Sequence, residues 1–251
     1  MRQLCIFVLL AFVLTSCSKK GSDINQEDNL QRFLGQVTVF NEYDNLLEDW
    51  SGVNVTIENS NPLISVVTNK KGSFLLPKLD NTKNLVVVYS KLGFGTYKQY
   101  LSPSRIDSIN SGKYKLGHTM KAASNVIVNS LTANVKEDTV KMNVNVSFPQ
   151  ANGLKYIRFV MSTNPNVGHD NIISVSRSVS EHFQVSNGDN IISICKSCMK
   201  GGTFKAGDII YLKAYGATNI LDLYQDQITK KYIFPSLNTE TKSAVVSFIV
   251  P

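Results

Sequence analysis

The chain has 251 residues, 43% of them hydrophobic and 18% charged, with 26 Lys and Arg against 19 Asp and Glu for a formal charge of +7. That composition is globular and excludes a disordered or low-complexity protein. The positive excess is scattered as Lys rather than gathered in runs with interleaved aromatics, which argues against nucleic acid as a partner.

Arg2 is followed by the uncharged apolar run Leu4 to Leu14 and then by Thr15 and Ser16. A run of 11 residues suits the apolar core of a secretory signal and is shorter than the roughly 18 that a spanning helix needs. The tetrad Leu14-Thr15-Ser16-Cys17 resembles the lipobox of bacterial lipoproteins. The resemblance implies cleavage after residue 16 and a lipid on the Cys17 thiol, so residues 1–16 are read as a lipoprotein signal peptide. Residues 17–32, polar and poor in large apolar groups, are read as a flexible tether that cannot bury enough surface to fold. Ser18 is not the Asp that retains enterobacterial lipoproteins in the inner membrane. The resemblance therefore points to the outer membrane, on its periplasmic face or at the cell surface, with the lipid anchor as the membrane partner.

Beyond the tether the chain reads as strands. Gly35-Gln36-Val37-Thr38-Val39 and Val53-Asn54-Val55-Thr56-Ile57 alternate, as half-buried strands do. After Val66-Val67-Thr68 the turn Asn69-Lys70-Lys71-Gly72 leads into Ser73-Phe74-Leu75-Leu76, and the run Leu85 to Tyr89 ends near Gly93-Phe94-Gly95. Short strands at regular spacing with Gly and Asn turns predict a β-sandwich. The series Gly35-x-Val37, Gly52-Val53-x-Val55-x-Ile57, Thr68-x-x-x-Gly72-x-Phe74, Leu85 to Val88 and Gly93-Phe94 resembles the carboxypeptidase regulatory-like domain, a transthyretin-like sandwich of exported Bacteroidetes proteins. In that family the domain is a structural spacer. This block is taken as 33–121, with its stretch Pro103 to Gly112 as a loop and Tyr114 to Met120 as a last strand.

The remainder, 122–251, also reads as strands: Val126 to Val128, Val140 to Phe148, Tyr156 to Met161, Ile209 to Tyr215 and Val245 to Val250 alternate or run apolar. Val144-x-Val146-x-Phe148-Pro149, Tyr156 with Phe159, and Phe204-x-Ala206-Gly207-Asp208-x-Ile210-Tyr211 are similar to a fibronectin type III or related immunoglobulin-like sandwich. Phe148 stands for the usual Trp, and the stretch 164–202 is a long insert. The expected fold is thus all-β: two consecutive antiparallel β-sandwich domains after a signal peptide and tether.

Little in the sequence carries chemistry. Nucleophile elbows, metalloprotease helices, phosphate loops and dinucleotide fingerprints are absent, and His118, His169 and His182 each stand alone. We therefore expect no enzyme, no cofactor and no metal. The sharpest feature is Cys195-Lys196-Ser197-Cys198. In an oxidising compartment a local disulfide between Cys195 and Cys198 is expected; a redox-active pair, or zinc completed by His169 or His182, are the alternatives. Asp107-Ser108-Ile109 and Asp138-Thr139-Val140 resemble the triplet used for O-glycosylation in the Bacteroidetes periplasm, which makes Ser108 and Thr139 candidate glycan acceptors. Trp50, on the long loop Glu42 to Ser51, is a candidate ligand contact; the bland alternative has its ring folded back over an open end of the sandwich.

Together these features predict a membrane-anchored noncatalytic lipoprotein that binds or scaffolds a glycan, a peptide or an outer-membrane protein. An accessory redox or metal protein centred on Cys195 and Cys198, and a component of a fimbrial or nutrient-uptake assembly, are the competing readings. Oligomeric state is not set by the sequence.

Overall fold

The structure is a computed structural model that describes residues 33–149, 153–172, 182–195, 197, 204–219 and 222–251. The described strands in the first half are β1 (Phe33–Phe40), β2 (Asn54–Glu58), β3 (Ile64–Val67), β4 (Ser73–Leu76), β5 (Leu85–Ser90), β6 (Tyr97–Leu101) and β7 (Gly117–Lys121), with helix α1 (Pro103–Asn110) between β6 and β7. They form the sheets β4-β1-β7 and β3-β2-β5-β6. The alternating residues Val37 and Val39 of one sheet meet Val53, Val55, Ile57, Val87 and Tyr89 around a shared core. β1 and β7 pair in parallel, Gln36 opposite Gly117 and Phe40 opposite Lys121. All the other named pairings of this half are antiparallel.

The Thr68 to Phe74 turn is fixed by side chains. The Thr68 hydroxyl accepts from Val53 N at 3.1 Å and donates to the Trp50 carbonyl at 2.7 Å. Asn69 Oδ1 accepts from Lys71 N and Ser73 N. Gly72 has φ +71°, and a Cβ built there would lie 1.9 Å from the Val37 carbonyl oxygen, so only glycine fits the close approach of the two chains.

Residues 103–110, expected as loop, are helix α1. Ser102 caps it by accepting from Arg105 N, Pro103 begins it, and Ile106 and Ile109 enter the core. Asn110 closes it by exchanging hydrogen bonds with both backbone groups of Leu79. Eight residues with two buried apolar side chains give too short a period to read from sequence; tertiary packing, not propensity, holds this turn of chain.

The second half contains β8 (Ile127–Lys136), β9 (Thr139–Ser147), β10 (Lys155–Ser162), β11 (His182–Val185), β12 (Gly188–Cys195), β13 (Ile209–Ala217), the short β14 (Tyr224–Gln225) and β15 (Tyr232–Ile233), and β16 (Val246–Ile249). Sheets β12-β9-β8 and β11-β10-β13-β16 face each other, with Met142, Val144, Phe159, Leu212 and Phe248 in the shared core. The β10 and β13 strands are buried on their outer face too, where Val160 and Tyr215 pack with Val167, Ile172, Phe234 and Leu237. This is why Tyr156 to Met161 runs almost continuously apolar.

The β14-β15 ribbon and its flanks, 222–238, cover that outer face and then reach the first sandwich. Tyr100 OH donates to Asp226 at 3.0 Å, the Tyr224 ring meets Tyr97 edge-on at 5.2 Å, and Ser124 N donates to the Ser236 carbonyl at 2.9 Å. At the β1–β2 loop the Lys155 ammonium sits 3.5 Å from the centre of the Tyr43 ring. The described halves therefore form one compact unit from residue 32 onward.

Candidate functional site

The polar outer face of β1 and β7 meets the start of the 222–238 segment across a cleft of about 440 Å³. Parallel register sets its floor. Gln36 lies opposite Gly117 and Thr38 opposite Thr119, so the polar side chains of Gln36, Thr38 and Thr119 point away from the core that Val37, Val39 and Met120 fill. Asp222 and Leu223 form the facing wall, and Tyr97, His118 and Lys121 complete it.

At one edge the imidazole of His118 is stacked on the Tyr97 ring and tilted against Tyr89 at 5.3 Å. Burial among these rings pushes its pKa down to about 4. At the other edge Asp222 accepts from Ser236 Oγ at 2.6 Å, and Ser236 in turn stands 2.9 Å from Thr218 Oγ1. With its hydrogen committed to the carboxylate, Ser236 must accept from Thr218. Burial pushes the Asp222 carboxyl up to about 6, while Ser236 and the cations Lys121 and Arg158 pull it the other way. Lys121 is almost wholly buried and ion-pairs with Asp44. Burial lowers its pKa and Asp222 opposes the shift. The Arg158 guanidinium lies over the Phe234 ring at 4.7 Å. Lys121 and Asp44 come from the first half; Asp222, Arg158 and Ser236 come from the second.

The arrangement can hold a polar ligand by hydroxyl and amide groups beside an aromatic edge, with a cation and a carboxylate at one end. Its titratable groups are each engaged: His118 between rings, Lys121 with Asp44, Asp222 with Ser236. Among the described residues no group of three His, Cys, Asp or Glu side chains could hold a metal ion.

Apart from His118, the residues that the sequence analysis named lie elsewhere. Trp50 is half-buried, its ring packs on the first core, and its indole N–H donates to the Leu47 carbonyl. Ser108 lies within α1 and donates its hydroxyl to the Ser104 carbonyl at 3.0 Å. Thr139 opens β9, opposite both Lys136 and Cys195. Cys195 ends β12 and is disulfide-bonded, with Ser197 Oγ 3.2 Å from its sulfur. Cys17 and Cys198 lie outside the described residues. His169 and His182 are exposed on the second half; the former meets the Tyr215 ring edge-on at 5.5 Å, the latter the Tyr156 ring at 5.9 Å. The cleft residues Tyr97, Lys121 and Asp222 were not signalled, because their positions are far apart in the chain and share no motif.

No family model matches the chain, and no curated protein matches it. Among solved structures it is similar, at 11% identity, to a candidate carbohydrate-binding protein from Bacteroides uniformis, over 86% of this chain and 98% of that one, with a TM-score of 0.31. A DUF3823 family protein from Parabacteroides merdae matches over the same shares at 11% identity with a TM-score of 0.32. A DUF3823 family protein from Bacteroides ovatus matches at 10% identity over 85% of this chain and 98% of that one, with a TM-score of 0.29.

Proposed function

We propose that the chain is a lipid-anchored, noncatalytic binding protein of the outer membrane whose ligand is a glycan held in the cleft between β1-β7 and Asp222. The observation that carries this reading is the row of Gln36, Thr38 and Thr119 beside the Tyr97 edge. Neutral hydrogen-bonding groups next to an amphipathic ring match the alternating hydroxyl and C–H surfaces of a sugar, and the volume lies in the range of small-molecule sites. The engagement of His118, Lys121 and Asp222 with protein partners supports a binding role over a catalytic one. The lipobox-like tetrad ending at Cys17 supports the anchor.

Calorimetric titration of the protein with a panel of neutral and acidic oligosaccharides tests the site. We expect at least one to bind, and the pair Thr38→Val with Thr119→Val to weaken it about thirtyfold, at roughly 1 kcal/mol for each of the two hydrogen bonds lost, with the melting temperature kept. Leu92→Ala, at a fully exposed side chain outside the cleft, should bind as wild type. Binding that is indifferent to the threonine pair would place the glycan elsewhere.

A further inference from the structure

The parallel pairing of β1 with β7 fixes the two ends of the first sandwich. The chain enters at Phe33 and leaves after Lys121, and because the two strands run the same way, these points lie at opposite poles, roughly 25 Å apart for eight residues of strand. The entry pole also collects the ends of other elements. Phe33 pairs with Leu76, after which comes the loop 77–84, and Leu85 pairs with Leu101, after which comes α1. Gln36 N donates to the Leu116 carbonyl, so the stretch 111–116 lies beside the start of β1. The loop between β2 and β3 joins the same end, where Ser60, Asn61 and Pro62 share a cavity of about 380 Å³ with Pro77, Leu79 and Lys83.

Cations outnumber carboxylates there. Lys78, Lys83, Arg105, Lys113 and Lys115 are all exposed, and Leu63 is 68% exposed at the rim. The carboxylates at this pole are already engaged: Asp80 accepts from Thr82, Asp107 from Asn81, and Glu58 pairs with Lys98. We infer that this pole docks on anionic lipid headgroups, Lys78, Lys83, Lys113 and Lys115 facing the phosphates and Leu63 entering the interface. Two observations choose a lipid surface as the occupant. The patch has the charge that such a surface selects, and residues 18–32, which join Cys17 to Phe33, end at this pole. The inference rests on the anchored reading and adds an orientation to it: the first sandwich stands on the membrane by its entry pole.

The test is co-sedimentation of the chain from residue 18 on, which contains every core residue and carries no lipid, with vesicles of phosphatidylcholine alone or with 30% phosphatidylglycerol. We expect binding to the anionic vesicles only, falling as salt rises. Replacing Lys78, Lys83, Lys113 and Lys115 together by Gln should weaken it at least a hundredfold, at about fivefold per cation. Lys136→Gln with Lys141→Gln, exposed on the β8-β9 hairpin of the second half, should leave it unchanged. Absence of binding, equal binding to neutral vesicles, or an equal effect of the two lysine sets would overturn the inference. Because this chain lacks Cys17, its result is separate from that of the Cys17→Ala test of the anchor.

Discussion

The imidazole of His118 lies flat on the phenol ring of Tyr97, with ring centroids 3.4 Å apart and planes 13° from parallel. Only the neutral imidazole suits that position, and its pKa of about 4 lies below the ordinary 6.5. The unfolded chain takes up a proton on this residue below pH 6.5, and the folded one does so only near pH 4. Its stabilising contribution is therefore full above pH 6.5 and is lost as pH falls through 4. Asp222 has the opposite sign: with a folded value of about 6 against 3.8, its contribution is full below pH 3.8 and is lost as pH rises through 6. The two oppose each other between pH 4 and 6. His118→Gln should accordingly make the melting temperature rise on acidification from pH 7 to 5 relative to wild type, and Asp222→Asn should make it fall faster. Parallel melting curves for the three proteins would refute both assignments.

Gly72 and Gly112 have nearly the same φ, +71° and +72°, but differ in surroundings. Alanine at 112 meets open space and suffers only the backbone strain of a left-handed residue, about 1 kcal/mol. Alanine at 72 would also meet the Val37 carbonyl, which is backbone and cannot turn aside. We expect Gly112→Ala to cost about 1 kcal/mol in urea unfolding and Gly72→Ala about 3 kcal/mol or more. Equal losses would show that the close approach of 72 to β1 does not matter.

Tyr100 and Asp226 join β6 to the β14-β15 ribbon, 126 residues apart in sequence. A hydroxyl donated to a carboxylate contributes more than a neutral pair does, and at this half-buried position we expect about 1 kcal/mol. A double-mutant cycle with Tyr100→Phe and Asp226→Asn isolates it. A coupling near zero would mean that this hydrogen bond does not help to hold the ribbon.

The strands were legible where alternation was strong, as in Val37 and Val39 or Val140 to Val146, because one buried face imposes a period of two. The Thr68 to Phe74 turn was legible because Gly72 answers a local backbone demand. Helix α1 was not, since its two buried isoleucines sit among Ser, Asp and Asn and depend on the Asn110–Leu79 bonds. The cleft was illegible for a different reason. Asp222, Lys121 and Tyr97 are brought together only when the 222–238 segment crosses from one sandwich to the other, and no local spacing encodes that crossing. Trp50 illustrates the converse: it stood out in the sequence as a rare aromatic on a long loop, yet its ring serves the core.

Cys195 ends β12 opposite Thr139 and is disulfide-bonded. β12 is an edge strand of the β12-β9-β8 sheet, so the bond attaches at the periphery; with Cys198 as the partner expected from the sequence, the loop is short and restricts the unfolded chain modestly. Reduction should lower stability by no more than about 3 kcal/mol, leaving the Trp50 environment in the first half unchanged by fluorescence. A loss of the Trp50 signal on reduction would show that the disulfide supports the whole unit.

Cys17 bears the most direct test of the anchored reading. Two or more acyl chains hold a protein stably where one holds marginally, because each buried methylene contributes about 0.8 kcal/mol. The wild-type protein from native cells should partition into detergent, resist a high-salt wash of the membrane fraction, and have an intact mass that lacks residues 1–16 and includes lipid. The Cys17→Ala variant should carry no lipid mass and partition with the aqueous phase once its leader is removed. Salt distinguishes the anchor from the basic pole: headgroup contacts through Lys78 and Lys83 weaken as ionic strength rises, whereas acyl chains do not release. A Cys17→Ala protein that stays in the membrane through the high-salt wash would refute the lipid anchor, and one that stays only at low salt would be held by its lysines.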